Sequence, residues 1–500
     1  MIVRLLGWQV MLIAGEALRP LPPAVPGPVD RESFADAQRR HRRAAKLFTV
    51  LVVLGLVLTG LPLAGILFPL LFGLAVLALD VLSLVVTAPD LAGMLDATGG
   101  LFAEGPEWLM ELIAVGLIVF MPGVLAMLLV WLAVRAIVVD AGMAGVAARL
   151  GARPPRPGDL EERQLRNLVD EMAIAAGLPP PALVVLDSPA ITGAAFGPSD
   201  EAATILISRG LLDRCDRDET QGVIAHLIAM IGNGDQRIAL LLISLFATVN
   251  LTSVVLKAPF SPRSRALLGQ VLRFALQRRA NRDPAQEAVL VEHLLDEPPD
   301  DDLKWFEKNR LLLFLTLPLY LASGMFSLVS FLTSFVFLSP TFALMLRRRR
   351  YLADATAVQL TRNPEGLAQA IVHLMRQHDV PLTGVREAAP LFIVPPRMAA
   401  SGHHQPIGMM FDVHPPAGKR RDRLMAMGQG LVKKRWSWPK ADLRSPKTLL
   451  VLLLAAMIPP LMAVAVYLML VLIVACTMLS IMVGLMWIGF LIFPIHLLLH

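Results

Sequence analysis

Residues Glu219–Arg237, ETQGVIAHLIAMIGNGDQR, set the reading of everything around them. Val223, Ile224, Leu227, Ile228 and Ile231 recur at the three-to-four spacing of a helix with one buried face, and Gly232-Asn233-Gly234 supplies the stop. Nothing in that periodicity by itself marks a catalyst. It marks a core helix, and the flanking chain has to supply what packs on it.

Upstream, residues 140–237 read as the first half of a folded domain. Arg153-Pro154-Pro155-Arg156-Pro157-Gly158 is a linker, and Leu160–Ala176 has helical periodicity, with Leu165, Leu168, Val169 and Met172 on one side and Gly177 at the stop. Ala182–Leu186, Ile191–Phe196 and Thr204–Ile207 are short apolar or alternating runs separated by turn residues such as Gly197-Pro198-Ser199-Asp200. They are expected to form a small sheet ahead of the helix.

The rest of the chain is apolar on a scale that a bilayer explains. Of 500 residues 55% are hydrophobic and the mean hydropathy is +0.62, against roughly 45–50% apolar residues in soluble domains. Hydrophobic blocks at 47–88, 110–134, 238–256, 311–338, 447–469 and 471–495 make this a polytopic membrane protein. The first block is about twice the ~20 residues one crossing needs and contains Pro62 and Pro69, so a hairpin or one span plus an interfacial helix both fit. Residues 89–109 carry Asp90, Asp96, Glu104 and Glu107 with no lysine or arginine, which suits the outer face and favours an odd number of crossings before them. Trp108 and Trp131 are read as interfacial anchors of the next span.

Basic clusters orient the chain. Arg39-Arg40-His41-Arg42-Arg43 and Lys46, then Arg135, then Lys433-Lys434-Arg435 interleaved with Trp436, Trp438 and Lys440, are expected to keep the N-terminal arm and the folded domain on the cytoplasmic side of the membrane. The apolar start of the arm, residues 1–15, lacks a small-residue cleavage site and is read as membrane-associating or disordered. The resulting organisation is a basic arm (1–46), a membrane region (47–139), a first half-domain (140–237), two spans around a charged loop 257–310 whose side the charges leave open (238–345), a second half-domain (346–446) and a terminal hairpin (447–500). The net charge of +6 lies beside hydrophobic segments and no Walker-type glycine loop occurs, so the expected partner is the lipid bilayer and not nucleic acid. Cys215 and Cys476 are too isolated for a disulfide framework or a zinc ribbon.

Three motifs carry a family resemblance. Glu219-Thr220-Gln221-Gly222-Val223-Ile224-Ala225-His226 followed by Asn233-Gly234-Asp235, the run from Arg349-Arg350-Tyr351-Leu352-Ala353-Asp354 to Thr361-Arg362-Asn363-Pro364-Glu365-Gly366-Leu367-Ala368, and Phe411 through His414-Pro415-Pro416 to Arg420 and Leu424 together resemble the HtpX-type membrane zinc metallopeptidases, relatives of the CAAX prenyl proteases, over roughly residues 140–430. The resemblance implies an α+β, mostly helical, gluzincin-like peptidase domain with a small β-sheet, interrupted and flanked by transmembrane helices. In that family two histidines four apart on one helix hold zinc, the glutamate between them activates water, and a glutamate on a later helix is the third ligand.

This sequence departs from that pattern at the chemistry. The first ligand position is His226, but the base position is Leu227, the second ligand position is Met230 and the third is Arg350. Leucine cannot accept a proton, a thioether suits Cu(I) better than Zn²⁺, and a guanidinium repels a cation. No glutamate lies between Glu307 and Glu365, so shifting the alignment restores nothing. No intact catalytic residue, no intact metal site and no cofactor are therefore expected, zinc being the family's. Asn233, Asp235, Asp354 and His414 remain as supporting residues, and His403 and His404 are read as a solvent-exposed pair. By the same resemblance Ile191, Thr192, Gly193 and Ala194 form the edge strand on which substrate is added as an extra strand, although relatives tend to carry asparagine where Thr192 stands. Arg350 is expected to reach Asp354 or the His226 helix. The functional expectation is a pseudopeptidase with a binding or regulatory role in membrane-protein quality control, its partners unfolded membrane-protein segments or an active relative. The alternatives are an active zinc endopeptidase with unconventional ligands and a membrane scaffold that binds no peptide.

Overall fold

The computed structural model describes residues 34–83, 107–139, 144–277, 286, 289–290, 293–294, 310–334, 338–376, 388–394, 414–428, 464, 467–468 and 471–490. The chain divides into two units. One comprises Met1–Ala44, Leu150–Gln236 and Ala343–Val471, and the other Ala45–Arg149, Arg237–Phe342 and Leu472–His500.

The first unit is organised by a helix, Arg217–Asn233, that begins and ends where its sequence dictates. Asp216 accepts from the Glu219 backbone N–H at 2.8 Å while the Glu219 carboxylate accepts from the Asp216 N–H at 3.0 Å, a reciprocal capping box. At the other end Gly234 takes a left-handed φ of 73°, which lets the chain turn straight into a second helix, Asp235–Lys257. Every residue from Gly222 to Asn233 is buried. The periodicity marks one buried face, and the structure buries the whole circumference, because partners cover it on several sides.

Those partners are the helix Leu160–Ala175, the strand Gly193–Phe196 and the helix Pro364–Arg376. Leu160–Ala175 is capped by Asp159, whose carboxylate accepts from Glu161 and Glu162 N–H, and it presents Leu165, Leu168, Val169 and Met172 inward. Pro364–Arg376 presents Leu367, Ala368, Ile371 and Leu374, and its approach is close enough that a Cβ on Gly222 would meet the Leu367 backbone nitrogen at 2.8 Å. Each fully buried Leu or Ile here contributes about 1.5–3 kcal/mol. The sheet has strands β1 Ala182–Leu186, β2 Gly193–Phe196 and β3 Thr204–Ser208 in the order β1-β3-β2, with β1 parallel and β2 antiparallel to β3. β2 is thus an edge of this sheet. Ile191 and Thr192, expected within that strand, precede it. Thr192 is instead pinned at both backbone groups, its N–H donating to Ser208 Oγ at 2.9 Å and its carbonyl accepting from the Ser208 N–H at 3.1 Å.

The second unit is helical. Among the described residues four helices are long and apolar enough to cross a membrane: Phe48–Ala75, Gly116–Val138, Asp235–Lys257 and Val471–Phe490, with a shorter apolar helix at Leu319–Thr333. The block 47–88 forms neither a hairpin nor a span with a separate interfacial helix over its described part, since one helix, Phe34–Ser83, runs through both Pro62 and Pro69. It packs closely on the helix Glu107–Val138, where a Cβ on Gly123 would meet the Ala64 backbone nitrogen at 2.3 Å, the small-residue contact of membrane helices. Trp131, expected as an interfacial anchor, is buried and donates its indole N–H to Ser244 Oγ at 3.1 Å. An indole N–H needs a partner in an apolar interior, and Ser244 provides it. One boundary moves: the span expected from 238 starts at Asp235, and Arg350 lies on the helix Ser339–Thr361. The expectations for residues 1–15, the acidic segment's residues 89–106, His403 and His404, the basic run 433–440 and the block 447–463 lie outside the described residues.

Candidate functional site

His226 sits at the centre of its helix with no exposed surface, and the motif residues of the other two signatures converge on it. Its Nδ1 lies 2.9 Å from Oδ1 of Asp354 on the helix Ser339–Thr361, a close electrostatic contact in which neither ring nitrogen completes an aligned hydrogen bond. Burial pushes the imidazole down to about 4, with Asp354 opposing that shift, so His226 is neutral at physiological pH.

Asp354 is claimed by Arg420 of the helix Ala417–Gly428. Arg420 Nε and Nη2 donate to the two carboxylate oxygens at 2.9 and 2.7 Å, a bidentate pair between two buried side chains. Burial alone would raise the Asp354 carboxyl, but the Arg420 guanidinium, assisted by His226, overrides it and holds the group below the ordinary carboxylate range. The pairing of Asp354 with Arg350 allowed for from helical spacing is not what forms; the bidentate geometry of Arg420 takes both oxygens.

Arg350 turns toward the His226 helix all the same. It is only 5% exposed, its Nη1 contacts Met230 Sδ, and its Nη2 donates to the Pro390 carbonyl. Burial, and then the neighbouring Arg420, lower it to about 10, which leaves it a cation at neutral pH. Leu227, at the base position, is fully buried and packs toward β2, with Cδ1 3.3 Å from where a Gly193 Cβ would stand.

Two groups of residues escaped the sequence reading. Arg349, at the start of the second motif, is buried: it donates to Asp235 and, at 2.6 Å, to the Asn233 carbonyl, so the Asn-Gly-Asp turn is an anchor for this arginine. The segment Pro390–Ile393 was given no role, yet His414 Nε2 donates to the Phe392 carbonyl at 3.1 Å and Arg420 Nη1 to the Ile393 carbonyl at 2.7 Å. Arg349 and Arg420 both sit in motif positions, the hint the sequence offered. Of the edge residues, Gly193 and Ala194 lie in β2, and Ile191 and Thr192 lie just ahead of it and are buried.

The residues brought together do not fit a zinc ion. His226 could offer one imidazole nitrogen, but the neighbouring positions present a thioether and a guanidinium already in contact with each other. Among the described residues, no group of three or more His, Cys, Asp or Glu side chains could hold a metal.

The sequence nonetheless matches a known family. The profile of peptidase family M48 matches residues 159–290. The chain is 30% identical over 266 residues to a protease HtpX homolog of Dictyoglomus thermophilum, covering 53% of this chain and 69% of that protein. It is 29% identical to one of Streptococcus uberis (52% and 72%) and 26% identical to one of Bacteroides fragilis (55% and 71%). No solved structure matches the chain. With its mixed three-stranded sheet, its His226 helix and its membrane-length helices, this chain belongs to the HtpX-type group of peptidase family M48.

Proposed function

We propose that this membrane protein is a pseudopeptidase, an HtpX-type chain that has given up hydrolysis and retains a binding or regulatory role in membrane-protein quality control. The observation that carries this reading is Arg350, a buried cation placed against Met230 where relatives would converge on a metal. Metal-assisted hydrolysis needs a Lewis acid and a group to take the proton of the attacking water. Leu227 supplies no acceptor, and the guanidinium both fills the space and repels a divalent ion. What is kept is the architecture around the site: the capped helix, the Asp354–Arg420 pair, the Arg349 anchor and the sheet edge. Selection for chemistry would have kept the reverse. The partners that suit such a remnant are unfolded segments of membrane proteins or an active relative.

Purified full-length protein is expected to contain far less than one zinc per chain by plasma mass spectrometry and to leave fluorescently labelled casein intact. One tightly held zinc per chain, together with a chelator-sensitive cleavage of casein, would overturn the reading.

The same proposal places the domain in the cytoplasm, as the basic flanks require. Phosphatase and fluorescent-protein reporters fused at Pro157 and at Ala417 are expected to report one side, the cytoplasmic one. Opposite sides, or both outside, would sink this topology.

A further inference from the structure

The free edge of β2 is taken by the chain itself. β3 pairs along one side of β2, and along the other Phe392 bridges Ala194 in antiparallel sense while the Ile393 N–H donates to the Gly193 carbonyl at 2.9 Å. The carbonyls of this stretch are held from three further directions: Pro390 by Arg350, Phe392 by His414 and Ile393 by Arg420. Its side chains fill the space a docked strand would use, with Leu391, Phe392 and Ile393 fully buried and the Phe392 ring edge-on to Phe196 at 6.1 Å.

We propose that Pro390–Ile393 is an internal occupant of the β2 edge, held by a clamp of main-chain carbonyl donors, Arg350, His414 and Arg420, and that an extended peptide binds this edge only by displacing it. Strand addition recognises a peptide mainly through backbone hydrogen bonds, with alternate side chains entering pockets. The occupant meets both requirements at once, so an incoming peptide finds the Gly193 carbonyl already paired. The proposal rests on the pseudopeptidase reading in one respect: a guanidinium can serve as a carbonyl donor at position 350 because that position is not a metal ligand.

The clamp also explains why three motif residues lacking a catalytic task are deeply buried. Arg420 spans the site, gripping Asp354 with one side of its fork and the Ile393 carbonyl with the remaining nitrogen. A segment held by three donors and one acceptor stays in place without covalent help, yet each bond is worth only a modest net amount in water. It can therefore be exchanged.

The test uses full-length protein in lipid nanodiscs and a fluorescein-labelled decapeptide of alternating valine and threonine, with binding read by anisotropy. Ala194 and Phe392 form a non-hydrogen-bonded antiparallel pair, the closer of the two kinds, so cysteines there can be bridged. In Ala194→Cys/Phe392→Cys the oxidised protein, with the occupant locked, is expected to bind the peptide at least about tenfold more weakly than the same protein after reduction. Ile393→Pro, which removes the N–H donated to Gly193, is expected to bind about tenfold more tightly than the wild type; Phe392, at ψ 152°, already has the extended backbone a residue before proline adopts. Equal affinity in the oxidised and reduced states, or no binding in either, overturns the proposal. So does failure of the disulfide to form in folded protein. Zinc-dependent casein cleavage by the wild type would end the pseudopeptidase reading while leaving these comparisons to be judged on their own.

Discussion

Replacing Arg420 by alanine is expected to lower the apparent melting temperature of the purified protein on the order of 10 °C, the largest loss of any single change outside the membrane helices. Asp354 and Arg420 are both buried, joined at 2.9 and 2.7 Å, and a third nitrogen of the same guanidinium holds the Ile393 carbonyl. Truncating one member of such a pair leaves the other as an uncompensated charge in an apolar interior, which costs about 3–5 kcal/mol. At roughly 2–4 °C per kcal/mol for a domain of this size, that gives the shift above. Asp354→Ala should cost a similar amount. The double variant should lose less than the sum by about 1–3 kcal/mol, because no charge is then left stranded. Arg421, one residue along and paired with Asp422 at the exposed surface, is the contrast: Arg421→Ala is expected to be nearly silent. If Arg420→Ala is as mild as Arg421→Ala, or if the double variant shows no coupling, the pair does not organise this site.

The sequence disclosed these elements unequally, for physical reasons. Helices with clear periodicity and a local stop were legible almost to the residue: Leu160–Ala175 ends one residue short of the expected Ala176, Gly177 follows at a φ of 65°, and Gly234 closes the His226 helix. Strands were legible as short apolar runs, yet the run from Ile191 starts two residues before the ladder does, since Thr192 satisfies its backbone on Ser208 outside the strand. The positions of His226, Leu227, Met230 and Arg350 came from motif spacing, which fixes an address but not a partner. That is why the sequence leaves Arg350 a choice between Asp354 and the His226 helix, whereas the structure gives Asp354 to Arg420, 66 residues away in sequence, and turns Arg350 to Met230. The same limit hid Arg349. Within a run of four arginines after an apolar block, a buried anchor and a membrane flank look identical, and only the fold distinguishes them. Pro390–Ile393 was invisible because a single 3-10 turn followed by one bridging residue has no periodicity to read.

A variant carrying Leu227→Glu, Met230→His and Arg350→Glu together is expected to take up about one zinc per chain, while none of the three single variants does so. The ground for this is that the surviving framework still orients a ligand. Asp354 approaches Nδ1 of His226, the arrangement in which a carboxylate fixes an imidazole so that its other nitrogen faces a metal. Positions 226 and 230 are one turn apart on the same helix, and Arg350 touches Met230 across the gap between helices. A glutamate at 350 is shorter than the arginine it replaces, so it stops short of the facing helix and leaves room for an ion where the guanidinium now lies. Without metal the triple variant should melt below the wild type, because a carboxylate is buried without its counter-charge and the Pro390 carbonyl loses its donor. Zinc at about one hundred times its dissociation constant should recover roughly 2.7 kcal/mol of that loss, and a chelator should remove the gain. Arg350→Glu alone gathers only one imidazole and one carboxylate, too few for a tetrahedral protein site, and should show the loss with no recovery. A folded triple variant that binds no zinc would mean that the helices have moved away from the metal-holding arrangement and that the loss is one of architecture as well as of side chains. Uptake with recovery would locate the whole loss of the metal site in these three side chains.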